Sequence, residues 1–361
     1  MNDVTTWFSA VLIGSLLMIS LGLWTYVIRR HRSGQSHFFS ARERLKLPLG
    51  LMDVLLAFVM WMTGQMVGLA ITLAIVGTDE LVPTSMSVGE QTVLGYAVGI
   101  CTAVSTVLTL AYLYARYQNP NVFGGNLKSL GRDVGLGCLV FLCFVPITLL
   151  VQAALTQVWE YEHPTLDLIS PDSSLLTILS AWWMAVLVAP ISEEIFFRGI
   201  LQGWLSRLFV NNVRPETTLI GGWPGRHSGI VSAGEQGSAV GQGELNPYKS
   251  PTTGAVGEQL PDESPVYVAQ AWAPVVISSL LFGLVHFGQG PAPIPIFVFG
   301  LGLGMIYRQT GRIVPCIVAH FLLNCFSMTV FTIEQLYFPD DAAEPIPQLE
   351  PAMSWLASWI F

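Results

Sequence analysis

Long apolar blocks separated by short polar segments dominate the chain. The four clearest blocks each reach the roughly 17–25 residues that a helix needs to cross a bilayer. They are residues 7–28, 49–77, 91–115 and 134–158. Further blocks begin at residues 175, 273, 294 and 313. The pattern predicts an all-α fold, a polytopic transmembrane helical bundle with about eight membrane segments.

Two short blocks after residue 272 predict a hairpin that turns inside the membrane. Residues 273–287 and 294–307 are joined by a turn rich in Pro and Gly. Such a turn must be buried in protein or face a water-filled cavity, because lipid cannot satisfy its backbone groups. The glycines of the second arm predict close helix contacts; they are Gly300, Gly302 and Gly304.

The blocks divide the chain into three parts. Residues 1–174 are predicted to form N-terminal transmembrane helices, the first of them a retained span and not a signal peptide. Residues 175–335 form a second unit, interrupted at 211–270 by a Gly- and Pro-rich segment that we interpret as a flexible cytoplasmic insertion. Residues 336–361 are an acidic tail with an interfacial segment.

Composition and charge agree with a membrane protein. Hydrophobic residues make up 52% and charged residues 11% of the chain, whereas soluble domains are about 25% charged. All 16 Lys and Arg residues fall in residues 29–48, 116–133, 198–272 and 308–312. By the positive-inside rule these segments are cytoplasmic and both termini are outside. We expect an integral, multi-pass protein of a bacterial-type inner (plasma) membrane.

Most ionisable and thiol groups in the apolar blocks have a structural interpretation. Asp53 lies near the cytoplasmic start of the second block and is predicted to be an interfacial or capping residue. The five cysteines all lie in apolar blocks without a Cys-x-x-Cys pair, so we interpret them as small packing residues.

One apolar stretch, residues 188–199, carries three charged side chains. Glu194 and Arg198 are four residues apart, so a helix places them on one face, where they can pair. Glu193 points about 100° away and lacks that partner. A carboxylate in such surroundings is suited to act as a general base. A structural salt bridge near the membrane surface is the alternative, and Pro190 predicts a helix kink here.

Two histidines lie in membrane segments, His286 and His320. Asn324 follows His320 by four residues and shares its helix face. Counted along the helices, these residues and Glu193 lie roughly 12–20 Å from the cytoplasmic ends. Six polar residues can therefore meet in one half-buried cavity: Glu193, Glu194, Arg198, His286, His320 and Asn324.

This ordered set resembles the signature of a known family. The motifs Glu193-Glu194-x-x-x-Arg198, Phe282-x-x-x-His286 and His320-x-x-x-Asn324 are similar to those of the CAAX prenyl endopeptidase and bacteriocin-processing family of intramembrane proteases. The resemblance covers roughly residues 175–330. Residues 211–270 are a longer insertion than that family usually has, and residues 1–174 carry none of its motifs.

The resemblance implies an intramembrane endopeptidase. Glu193 and His286 would activate water, while His320 and Asn324 would stabilise the oxyanion and Glu194 with Arg198 would hold the helix in place. A metalloprotease variant would bind Zn²⁺ through Glu193, His286 and His320. The expected partners are the lipid bilayer and a peptide or lipidated, CAAX-type protein substrate, with no nucleic acid.

Three alternatives remain open from the sequence. A non-catalytic immunity or scaffold protein could keep the same fold. A thiol mechanism could use Cys325 beside His320. A proton-coupled transporter could use the same ionisable groups, although such proteins often contain internal repeats, and we find none.

Overall fold

The structure is a computed structural model that describes most of the chain. It covers residues 2–33, 48–77, 86–118, 123, 127–155, 157–158, 172–209, 215–221 and 265–337. Within these residues the chain is helical and contains no strand, so the all-α prediction is confirmed. The predicted tail beyond residue 337 and residues 222–264 of the predicted insertion lie outside the described residues.

The described residues form nine helices in chain order, besides a short 3-10 helix at Leu127–Ser129. They are α1 (Asn2–Arg32), α2 (Leu51–Val76), α3 (Val88–Tyr117), α4 (Leu130–Leu155), α5 (Leu175–Leu208), α6 (Pro215–Ile220), α7 (Pro265–Leu284), α8 (Pro293–Thr310) and α9 (Val314–Tyr337). Five of them, α2 to α5 and α9, are long and apolar enough to cross a membrane. The chain is therefore a multi-pass integral membrane protein, as predicted.

Helix α5 lies at the centre of the bundle. Every residue from 192 to 202 is buried, so this stretch has no lipid-facing side. A helix buried on all sides must be surrounded by other helices, and α5 contacts α2, α3, α7, α8 and α9. The three charged side chains of the first motif are thereby removed from lipid.

Two stretches of α5 adopt the wider π-helical form, residues 183–188 and 195–202. Pro190 follows the first of them by two residues. Proline has no N–H and its ring collides with the carbonyl four residues earlier, which disturbs regular α-helical bonding. Beside Pro190, where the sequence predicts a kink, the Ala189 N–H donates to Met184 O, five residues back, as in a π-helix.

A buried carboxylate fixes the start of α2. Asp53 is fully buried and its Oδ2 accepts the Gly50 N–H at 2.7 Å, which caps the helix. Its Oδ1 lies 3.0 Å from Arg116 Nε and accepts the Tyr112 hydroxyl at 2.8 Å. The interpretation of Asp53 as a capping residue is confirmed, and the same contacts join α2 to the end of α3.

Helix α6 is packed onto this cluster. Trp204 Nε1 donates to Thr218 O at 2.9 Å, and Arg116 donates to Ile220 O. A Cβ on Gly50 would lie only 2.2 Å from Gly221 N, so the two backbones touch. Residues 215–220 of the predicted insertion are therefore helical and attached to the N-terminal helices.

The glycines of α8 permit the close contacts that the sequence predicts. A Cβ on Gly302 would lie 2.6 Å from the Phe144 ring of α4. A Cβ on Gly304 would lie 2.9 Å from Val275 Cγ1 of α7. Helix α8 is thus held tightly between α4 and α7.

A second buried carboxylate, Asp133 at the start of α4, binds Arg312 in the α8–α9 connection, with Arg312 Nε 2.7 Å from Oδ1.

Replacing Arg312 by Ala leaves the Asp133 carboxylate without its cation, and we expect a loss of about 3 kcal/mol in unfolding free energy. Thermal unfolding in detergent measures the change. The Asp133→Leu/Arg312→Leu double variant should recover most of it; a double variant as unstable as Arg312→Ala would contradict this account.

Candidate active site

A buried ion pair forms the base of the site. Arg198 Nε lies 3.2 Å from Glu194 Oε2, and both side chains are fully buried. Arg198 Nη1 donates to Ser278 Oγ on α7 at 3.2 Å, and this hydroxyl donates to Phe197 O at 2.8 Å. The guanidinium also lies 4.7 Å from the centre of the Phe282 ring. Arg198 therefore joins α5 to α7 as well as neutralising Glu194.

His320 extends the pair onto α9. Its Nδ1 lies 3.0 Å from Glu194 Oε1. Because Glu194 is paired with Arg198 as a carboxylate, Nδ1 is the donor in this bond. The bond fixes the orientation of the imidazole and turns Nε2 toward Glu193, whose Oε2 is 3.9 Å away. That separation is too long for a direct hydrogen bond but allows both atoms to contact one small group.

Glu193 is the carboxylate that the structure leaves least satisfied. Its side chain is buried, and Oε2 has no hydrogen-bond partner among the described residues. As the spacing predicts, Arg198 pairs with Glu194 and leaves Glu193 on another side of the helix. Glu193 thus presents an available acceptor next to His320.

Phe282 brings the two histidines together. The rings of His286 and His320 both contact it edge-on, with centroids 5.5 and 5.6 Å from that of Phe282. His286 Nδ1 lies 2.9 Å from Phe282 O. A carbonyl can only accept, so Nδ1 carries the proton and Nε2 of the neutral ring is the acceptor nitrogen. Both imidazoles therefore lie on one aromatic platform.

Asn324 reaches α5 on the same side. Its Nδ2 donates to Ala185 O at 2.8 Å, in the first π-helical stretch. A side-chain amide has two donor hydrogens, so this contact leaves the second for another acceptor. The carboxylates, Arg198, His320 and Asn324 thus contact one another or α5 directly, whereas His286 joins them through Phe282.

Sequence reasoning missed the side chains that hold these groups in place. Ser278 binds Arg198, and the Phe299 ring lies 5.9 Å from that of His320. The adjacent serines 278 and 279 in an apolar arm were the available signal for the first. Cys325 is half-buried and packs against an apolar cluster that contains Ala181 and Met328, in keeping with its interpretation as a packing residue.

The predicted zinc ligands do not form a metal-binding cluster in this structure. Among the described residues, no group of three or more His, Cys, Asp and Glu side chains is arranged to hold a metal ion. Glu193 and His320 approach each other, but a catalytic zinc site needs three protein ligands.

Comparison with known families supports the interpretation of the site. The family model described as Type II CAAX prenyl endopeptidase Rce1-like matches residues 175–222 and 262–326. The chain contains an Rce1-like domain. The resemblance seen in the three motifs is thereby confirmed. Comparison with curated proteins and with solved structures finds no match.

All six predicted site residues lie within the matched parts of the Rce1-like domain. Residues 223–261, most of the predicted insertion, are not matched, and neither are residues 1–174. Helices α1 to α4, some of which surround α5, therefore lie outside the recognisable part of the family.

Two neighbouring serines provide a test of the ion-pair network. Ser278 Oγ binds Arg198 and Phe197, whereas Ser279 Oγ, equally buried, has no partner among the described residues. We expect Ser278→Ala to lower the unfolding free energy by about 1–3 kcal/mol, because it leaves a buried guanidinium N–H unpaired. Ser279→Ala, the matched control, should change it by less than about 0.5 kcal/mol. Equal losses in thermal unfolding would contradict the assignment.

Proposed function

We propose that the protein is an intramembrane endopeptidase that hydrolyses a peptide bond in a membrane-tethered or lipidated, CAAX-type substrate. One observation carries the proposal. The Glu193 carboxylate is buried in an apolar bundle with an available oxygen 3.9 Å from the ring of His320. The Rce1-like match supports the class of substrate.

We assign the activation of water to Glu193 and His286. Glu193 Oε2 takes a proton from water with the help of His286, and the water oxygen adds to the scissile carbonyl. When the tetrahedral intermediate collapses, the C–N bond breaks and the proton passes to the leaving amine. The products are a new carboxylic acid and a new amine, which become a carboxylate and an ammonium when a proton passes between them, so atoms and charge balance.

We assign stabilisation of the oxyanion to His320 and Asn324 on α9. Asn324 keeps one amide hydrogen beyond its bond to Ala185, and an imidazolium at His320 would donate through Nε2, which faces the Glu193 side of the site. Donors held in fixed positions and shielded from water stabilise a developing negative charge far better than mobile ones. Glu194 and Arg198 act as positioning residues, since Glu194 fixes the ring of His320 and Arg198 holds Glu194.

We also propose in which membrane the protein resides and which side of it faces the cytoplasm. The protein resides in a bacterial-type inner membrane with its basic segments on the cytoplasmic side. A substrate tethered by a lipid chain would enter from the bilayer, where the tether raises its local concentration. The partners are the bilayer and this peptide.

Removing either water-activating group should abolish cleavage. We expect Glu193→Gln and His286→Ala each to reduce kcat/KM by at least about 100-fold, since each removes a proton-transfer group. The assay uses purified protein in lipid vesicles with a fluorogenic, S-farnesylated peptide that ends in Cys and three further residues, and the same peptide without the lipid.

Glu90→Gln is the matched control, because Glu90 caps the exposed start of α3, outside the motif set. It should cleave normally. Thermal unfolding establishes that the site variants still fold. A Glu193→Gln protein that cleaves as fast as an active unaltered protein would contradict the assignment. An unaltered protein that fails to cleave would instead favour the non-catalytic scaffold.

Chelation separates the glutamate mechanism from the metal variant. Because the proposed steps use side chains alone, we expect cleavage of the farnesylated peptide to survive dialysis against 1,10-phenanthroline. Loss of activity that added zinc restores would instead support the Glu193, His286 and His320 ligand set and make the protein a metalloprotease.

A further inference from the structure

The turn between α7 and α8 carries a carboxamide that points into the protein. Gln289 has only 1% of its surface exposed, whereas its neighbour Phe287 is 61% exposed. Glutamine in a connecting segment ordinarily faces solvent. The exposure pattern of the turn therefore separates an outward side, at Phe287 and Gly288, from an inward side that includes Gln289.

The glycines on both sides of Gln289 allow the turn that points its side chain into the protein. Gly288 has φ of 104° and Gly290 has φ of 58°, both in the region that favours glycine. The backbone around the turn is itself satisfied, because the Gln289 N–H donates to His286 O at 3.2 Å and Gln289 O accepts from Ala292 N at 3.3 Å. The inward side chain is thus built into the turn.

The carboxamide has nothing to bind within the described residues. Both Oε1 and Nε2 of Gln289 are shielded from solvent and neither has a hydrogen-bond partner there. Burying an amide without partners is destabilising, so native structures rarely tolerate it unless a ligand supplies them. A buried donor and a buried acceptor side by side point to a ligand with the complementary pair.

The position of Gln289 connects it to the site. It follows His286 by three residues, and both side chains are buried on the inward side of the same turn. The imidazole of His286 is anchored to Phe282, which also contacts His320. A group bound by Gln289 would therefore lie beside the second motif.

We infer that Gln289 binds the backbone of one substrate residue next to the scissile bond, accepting from its N–H and donating to its C=O. This inference rests on the proposed function. In an extended chain the N–H and C=O of one residue point the same way, and a carboxamide offers the matching acceptor and donor. A lipid chain offers neither, so this contact would recognise the peptide part of a tethered substrate.

Gln289→Leu tests the inference, because it removes both hydrogen-bonding atoms at similar volume. With the farnesylated peptide in vesicles, we expect kcat/KM to fall about tenfold. The thermal midpoint should stay equal or rise, since an unpaired buried amide is lost. The matched control is Gln65→Leu in α2, another buried glutamine with an unpaired Oε1; it should leave kcat/KM unchanged.

A substrate series identifies the bound residue. N-methylation at successive positions of the peptide should slow cleavage about tenfold at one position in the unaltered protein, and that penalty should disappear in Gln289→Leu. A Gln289→Leu protein that cleaves like the unaltered one, or a series without such a position, would overturn the inference and leave water as the partner of Gln289. Failure of the unaltered protein to cleave would instead overturn the proposed function, and the inference with it.

Discussion

The carboxylate of Glu194, held between a guanidinium and an imidazole, is the contact on which the site depends. Arg198 and His320 bind its two oxygens at 3.2 and 3.0 Å. Moving such charges out of water is strongly unfavourable unless the partners are close and their remaining hydrogen bonds are made. The serine at 278 and the aromatic face of Phe282 supply further contacts. Three helices are therefore fixed relative to one another by the pairing of one buried anion.

Aromatic packing shields this anion from bulk solvent. Trp61 of α2 stacks on Phe196 at 5.5 Å, and Phe197 packs edge-on against Phe282 at 5.2 Å. Away from bulk solvent the effective dielectric constant is low, so each charge interaction is stronger than at a surface. The same packing leaves Glu193 next to the imidazole of His320. The contacts that stabilise the bundle thus also surround the candidate site.

Much of the fold could be predicted because membrane helices follow simple rules of length and charge. The Glu194–Arg198 pair could also be predicted, since it depends only on helical spacing. Ser278 could not, because the helix repeat defines a face but not the neighbour that the face meets. The π-helical stretches of α5 and the inward direction of Gln289 likewise depend on tertiary packing and on the dihedral angles of particular glycines.

The burial of residues 192–202 of α5 on every side limits how the chain can be shortened. Part of the wall around residues 192–202 comes from α2 and α3, which no family signature covers. A fragment trimmed to residues 175–326 would leave Phe196 without Trp61 and open the anion site to lipid. A fragment limited to the matched residues thus lacks part of the wall around the candidate site, because helices from the first half of the chain supply it.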